Sequence, residues 1–92
     1  MRQIEYTHRY LKDLRLIRRR HLPENELNEV IKKLANDEIL DERYHDHPLK
    51  GKYSKYRECH IRPDWLLIYK KEDTKHLSLL YLMYTRTHSD LF

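Results

Sequence analysis

Ninety-two residues with a formal net charge of +4 and one cysteine, Cys59, describe a single small domain without an internal disulfide. No apolar run approaches the roughly 20 residues that span a bilayer, and the N-terminus lacks the apolar stretch of a signal peptide, so a soluble cytoplasmic chain is expected. The charge is uneven: residues 1–22 hold seven Lys/Arg against two acids, 23–47 three against eight, and 48–92 nine against five.

In chain order, Ile4 and Tyr6 alternate with Gln3 and Glu5, the period of a short strand. Thr7 is placed to cap a helix running to about His21. Tyr10, Leu14 and Ile17 form its apolar stripe, and Arg9, Lys12, Arg15, Arg18 and Arg19 point elsewhere. Pro23 suits the first position of a second helix. There Leu27, Val30, Ile31, Leu34 and Ala35 follow the i, i+3, i+4, i+7, i+8 pattern of one buried face. Glu24 and Glu26 near its start and Lys32 and Lys33 near its end complement the helix dipole.

Residues 36–55 read as a long, polar, irregular segment, of the kind that is functional or mobile in compact domains. The segment holds the chain's one glycine, Gly51, which suggests a backbone position with φ > 0. The period then changes to two. Residues 56–61 read as a strand, 62–64 as a tight connection, 65–70 as a nearly continuous apolar strand, 71–75 as a polar turn and 76–86 as a third strand. Connections this short imply antiparallel pairing. The expected fold class is α+β in one domain, residues 1–92: a short N-terminal strand, two helices, then an antiparallel three-stranded meander with the helices packed on the sheet.

Titratable side chains fall at the rims of these strands. His47 lies in His45-Asp46-His47-Pro48-Leu49-Lys50-Gly51, His60 near the end of the first C-terminal strand, Asp64 at the opening of the next, and His88 in Arg86-Thr87-His88-Ser89-Asp90-Leu91-Phe92. Imidazole is the side chain best matched to proton transfer near neutral pH. With Arg86, these groups suffice for cutting RNA without a metal. That reaction needs a base for the ribose 2′-OH, an acid for the 5′-O leaving group and a cation for the charge gathering on phosphorus. Tyr and Trp can stack an unpaired base, and the two basic, tyrosine-bearing segments suit a polyanion as well as an ordinary solvated surface. No nucleophile elbow, phosphate-binding glycine loop or dinucleotide fingerprint is present. His45-x-His47 with His60 or His88 is a possible zinc set, but its spacing matches no tight zinc signature. No metal and no cofactor are expected, and Cys59 reads as a small buried strand residue.

The segments His47-Pro48-Leu49-Lys50-Gly51, Tyr56-Arg57-Glu58-Cys59-His60-Ile61-Arg62-Pro63-Asp64-Trp65-Leu66-Leu67-Ile68-Tyr69 and Thr87-His88-Ser89-Asp90-Leu91-Phe92 resemble the YafQ toxins of the RelE superfamily. The order of elements agrees over nearly the whole chain. The resemblance implies a RelE-like toxin of a type II toxin–antitoxin system. Its activity would be that of an endoribonuclease, an mRNA interferase cutting mRNA in the ribosomal A site and so inhibiting translation. Its partner would be a cognate antitoxin of the DinJ/RelB type, in a heterotetramer or larger complex. Position by position, the resemblance implies acid–base roles for His47, His60, Asp64 and His88 and a functional terminal aromatic in Phe92. It also places Trp65 beside the catalytic aspartate, where it is a candidate substrate contact, and Arg86, Lys50 and Arg57 are the cations expected at phosphate. There is one departure. Where the family commonly has Arg two positions before a Gly on the way to the final His, this chain has Tyr84 and Arg86. Positions 84 and 86 share one face of a regular strand, so Arg86 is the candidate for the displaced guanidinium. Two other readings are a non-catalytic module that binds RNA, ribosome or antitoxin, and a metal-dependent hydrolase.

Overall fold

In the computed structural model, which describes residues 1–87, a short strand β1 (Gln3–Tyr6) leads directly into helix α1 (His8–Arg19). Thr7 makes the switch. Its hydroxyl accepts from the Tyr10 amide at 3.1 Å, capping the helix, and shares its own proton between the Leu82 and Met83 carbonyls, each at 2.8 Å. Helix α2 (Glu24–Ala35) follows with Pro23 just outside it. Both helices end in Schellman-type turns made without glycine. His21 and Asp37 adopt φ of 57°, and the Leu22 and Glu38 amides reach back to the Ile17 and Lys33 carbonyls. His and Asp are among the non-glycine residues enriched in that left-handed region.

The remaining strands are β2 (His47–Pro48), β3 (Arg57–Arg62), β4 (Trp65–Asp73) and β5 (Ser78–Thr87), and the sheet order is β1-β5-β4-β3-β2. The β3-β4-β5 meander is antiparallel, as the short connections require. Four features differ from what the sequence predicts. β1 lies parallel to β5, a long-range pairing without a local signal. His47 belongs to a short strand paired with β3, so it is not a loop residue. The segment 36–55 is more ordered than its polarity suggests: it folds into 3-10 turns at Glu42–Tyr44 and Gly51–Tyr53, and Leu40 and Tyr44 are buried. Gly51 does take a positive φ, 66°. β4 also runs on to Asp73, and the connection to β5 closes through Thr74, whose hydroxyl accepts from the Leu77 amide at 2.9 Å.

Strand alternation sorts side chains onto two faces. Cys59, Ile61, Trp65, Leu67, Tyr69, Leu80 and Leu82 pack with Tyr10, Leu14 and Ile17 of α1 and with the whole predicted stripe of α2. Cys59 is fully buried, and burial pushes its thiol up, so the sulfur stays neutral and unreactive. The phase changes once. The β4–β5 register slips between Ile68 and Tyr69, so Tyr69 faces Leu82 while Ile68 faces Tyr84. The extra residue, Met83, forms a bulge that places Tyr84 and Arg86 on the sheet face opposite Leu80 and Leu82.

Near the N-terminus, the Arg2 guanidinium binds Asp37 at 2.7 Å and Asp73 at 2.8 Å, and Lys71 reaches Asp37 at 2.8 Å. Three elements are thereby joined: β1, the end of α2 and the end of β4. Arg2 and Lys71 hold the Asp37 carboxyl at about 2, below the usual 3.8. A carboxyl depressed in the folded state contributes stability above its ordinary pKa and loses it as pH falls toward the depressed value. Stability should therefore decline between about pH 4 and 2, and Asp37→Asn should flatten that decline in urea titrations. The effect should be small because Asp37 is half exposed. Parallel acid profiles for parent and variant would remove this role. Among the described residues, no helix is long and apolar enough to cross a membrane.

Candidate active site on the open face of the sheet

On the face turned away from the helices, strand register assembles residues that are far apart in sequence. His47 pairs with Glu58, Glu58 with Ile68 and Ile68 with Tyr84. One step along, His60 pairs with Leu66 and Leu66 with Arg86. Neighbouring strands lie about 4.8 Å apart. His47, Glu58 and His60 thus form one cluster, in which one ligand-capable atom from each lies within 4.8 Å of the other two.

His60 is oriented from two sides. Its Nδ1 lies 3.2 Å from the Pro63 carbonyl, which can only accept, so Nδ1 carries the proton. Nε2 then presents a lone pair beside Glu58 Oε1 at 3.3 Å, and becomes the donor in that pair once it takes a proton. The His45 ring meets His60 edge-on, centroids 5.8 Å apart, after a left-handed backbone turn at φ 45°. His47 repeats the pattern. Its Nδ1 lies 3.1 Å from the Pro48 carbonyl, which leaves Nε2 open to solvent. Two imidazoles around one carboxylate, with His60 Nε2 in contact with Glu58, can take and return protons at a bound ligand. The same three donors, two imidazole nitrogens and a carboxylate oxygen, also match a zinc-type ligand set with one position left for water.

The other predicted residues are dispersed. Asp64 is exposed at the turn joining β3 and β4, with Arg62 as its charged neighbour, and it does not join the histidine cluster. Lys50 is exposed just before the Gly51–Tyr53 turn. His88 and Phe92 lie outside the described residues. Two assignments need correction. Arg57 stands three residues before His60, so alternation puts it on the opposite face, where Nε donates to Asp46 and to the Tyr69 hydroxyl, both at 3.3 Å. Trp65 is 1% exposed, and its ring N–H donates to Thr85 Oγ1 at 2.8 Å, so it is a core residue with no face free for a base. Arg86 is on the open face, but its Nε is 3.5 Å from the buried Asp13 carboxylate, which also accepts from the Thr85 amide at 3.3 Å. Glu58 was not among the expected site residues, and His45 figured only in a possible zinc set. For Glu58 the signal was available, since a residue two before His60 on a strand must share its face.

Residues 2–92 match the family described as bacterial toxin of type II toxin-antitoxin system, YafQ. The chain belongs to the YafQ toxin family. The mRNA interferase toxin YafQ of Escherichia coli strain K12 is 42% identical over 92 residues, 99% of this chain and 96% of that protein. YafQ in the crystal structure of the E. coli DinJ-YafQ toxin-antitoxin complex aligns with a TM-score of 0.86 and 42% identity, over 99% of this chain and 97% of that one. A crystal structure of metal-bound toxin from Helicobacter pylori aligns with a TM-score of 0.86 at 37% identity over the full length of both chains. The mixed α+β architecture is that of YafQ and RelE-like toxins. In this YafQ chain the departure at position 84 has a structural consequence: the Arg9 guanidinium of α1 covers the Tyr84 ring, 4.0 Å from its centroid.

Proposed function

We propose that this toxin is an endoribonuclease that cuts mRNA in the ribosomal A site by metal-independent attack of the ribose 2′-OH, halting translation. The observation that carries the reading is the His60–Glu58–His47 cluster, gathered by strand register on the open face of the sheet, with both Nδ1 atoms beside backbone carbonyls. In the reaction, a base removes the 2′-OH proton, the oxygen bonds to the neighbouring phosphorus, and the 5′-oxygen leaves with a proton from an acid. The products are a 2′,3′-cyclic phosphate and a 5′-OH. His60 Nε2 suits the proton acceptor, because Glu58 stands ready to bond the resulting imidazolium. His47 suits its partner, and His88 and Asp64 extend the acid–base set. Arg86 and Lys50 supply positive charge for phosphate, and Phe92 is a substrate contact.

A DinJ-type antitoxin is the partner that accords with the E. coli complex. Its covering segment should be acidic, because the segments 1–22 and 48–92 carry a net positive charge that an interface would otherwise leave uncompensated.

Mapping mRNA ends after induction in a bacterial host tests the reading. Cuts within translated codons, ending in 2′,3′-cyclic phosphate and 5′-OH, are expected, and cutting on purified translating ribosomes should persist with phenanthroline at constant Mg²⁺. Loss of cutting on chelation would turn the three-donor cluster into a metal centre. Ribosome binding without new ends would favour a non-catalytic module.

A further inference from the structure

A groove of about 370 Å³ opens beside the histidine cluster, formed by Leu49, Ile68, Met83 and the rings of Tyr53, Tyr56 and Tyr84. Ile68 and Tyr84 continue the row that begins with His47 and Glu58, so the groove starts one strand spacing, about 4.8 Å, from Glu58. No carboxylate lines it. Arg9 stands at its rim with the guanidinium over the Tyr84 ring, 4.0 Å from its centroid. This arginine differs from most others in the chain. Arg2, Arg18, Arg57, Arg62 and Arg86 are each held by a carboxylate. Arg9 is exposed, and among the described residues its partner is the Tyr84 ring alone, which leaves the N–H edge of the guanidinium free. Lys52 adds positive charge 5.2 Å from the Tyr53 ring.

We propose that this groove is a nucleotide subsite, taking the base of the mRNA nucleotide next to the scissile phosphate among its tyrosines while Arg9 binds that nucleotide's phosphate. Three rings around an apolar floor suit the face of a base. A guanidinium laid on an aromatic ring keeps its planar donor edge available for phosphate oxygens. The pairing of an apolar slot with one open cation matches a nucleotide better than an apolar peptide, which would leave Arg9 buried without a partner. Tyr84 here acts as the platform that steers Arg9 toward the phosphate, while Tyr53 and Tyr56 flank the slot for the base. The assignment rests on the proposed mRNA cleavage, and its test does not depend on that activity.

Methyl NMR of the intact protein with AMP, GMP, CMP and UMP reads the groove directly. At least one nucleotide should shift the Met83 and Ile68 methyl signals. Arg9→Ala should weaken that binding about tenfold, Tyr84→Ala should weaken it at least as much, and Tyr84→Phe, which keeps the ring, should retain it. On translating ribosomes, Arg9→Ala should raise KM more than it lowers kcat. The subsite is overturned if no nucleotide shifts these methyls, or if Arg9→Ala leaves the shifts unchanged. It is also overturned if Arg9→Ala and Tyr84→Ala weaken antitoxin binding and leave nucleotide binding intact, which would make the groove a peptide site. Nucleotide binding without mRNA cutting by the parent protein would sustain the subsite while refuting the nuclease reading.

Discussion

His60→Ala should slow mRNA cutting on translating ribosomes by about 10²–10⁴-fold, the range lost with a positioned proton-transfer group. His60 has the most constrained geometry in the cluster. The Pro63 carbonyl fixes the proton on Nδ1, and Glu58 lies 3.3 Å from Nε2. The fold should survive, because the ring sits on the open face and takes no part in the helix-packed core. Far-UV circular dichroism and a urea midpoint close to the parent's would establish that. Growth arrest on induction should be relieved in step with the loss of cutting. Glu58→Gln keeps the shape but removes the charge that meets the imidazolium, so a smaller loss is expected. His88→Ala, measured alongside, separates its contribution from that of His60. A His60→Ala protein that cuts at the parental rate would end the assignment.

Trp65→Ala should cost about 3–5 kcal/mol of stability, as large-to-small changes at fully buried aromatics do. Trp65 is among the largest side chains that are fully buried. Its ring N–H donates to Thr85 Oγ1 at 2.8 Å, and that hydroxyl donates to the Leu66 carbonyl at 2.8 Å. Truncation therefore opens a cavity and also strips an acceptor of its donor. Small domains hold about 5–15 kcal/mol in total, so the variant should lose a large share of its stability. Urea unfolding followed by tyrosine fluorescence or circular dichroism gives the loss directly. If Trp65→Ala kept the parental stability and lost RNA binding instead, the residue would be a stacking surface after all.

Much of this protein was legible from its sequence, because those parts depend on local periodicity. The stripes Tyr10-Leu14-Ile17 and Leu27-Val30-Ile31-Leu34-Ala35 are the faces that the helices bury. Thr7 caps α1, Gly51 takes a positive φ, and the three C-terminal runs pair antiparallel. The separation of Arg57 from His60 was also there to be read, since three steps along a strand reverse the face. The corrected residues share one cause. Apolar or basic character at Trp65 and Arg57 says what a side chain can do, whereas strand phase decides which side of the sheet it does it on.

The order of elements and the family motifs around His47, His60 and Asp64 were set down in the sequence alone, because helical and strand periods arise between near neighbours. Tertiary structure decided what stands next to what. Parallel pairing of β1 with β5 lays α1 beside the last strand, which is how Asp13 reaches Arg86 and Arg9 reaches Tyr84. The bulge at Met83 reverses the phase of β5, so residues that would continue the Leu80-Leu82 face point to the open side. A register slip and a parallel pairing are stabilised by contacts summed across the whole sheet, and no window of neighbouring residues carries that sum.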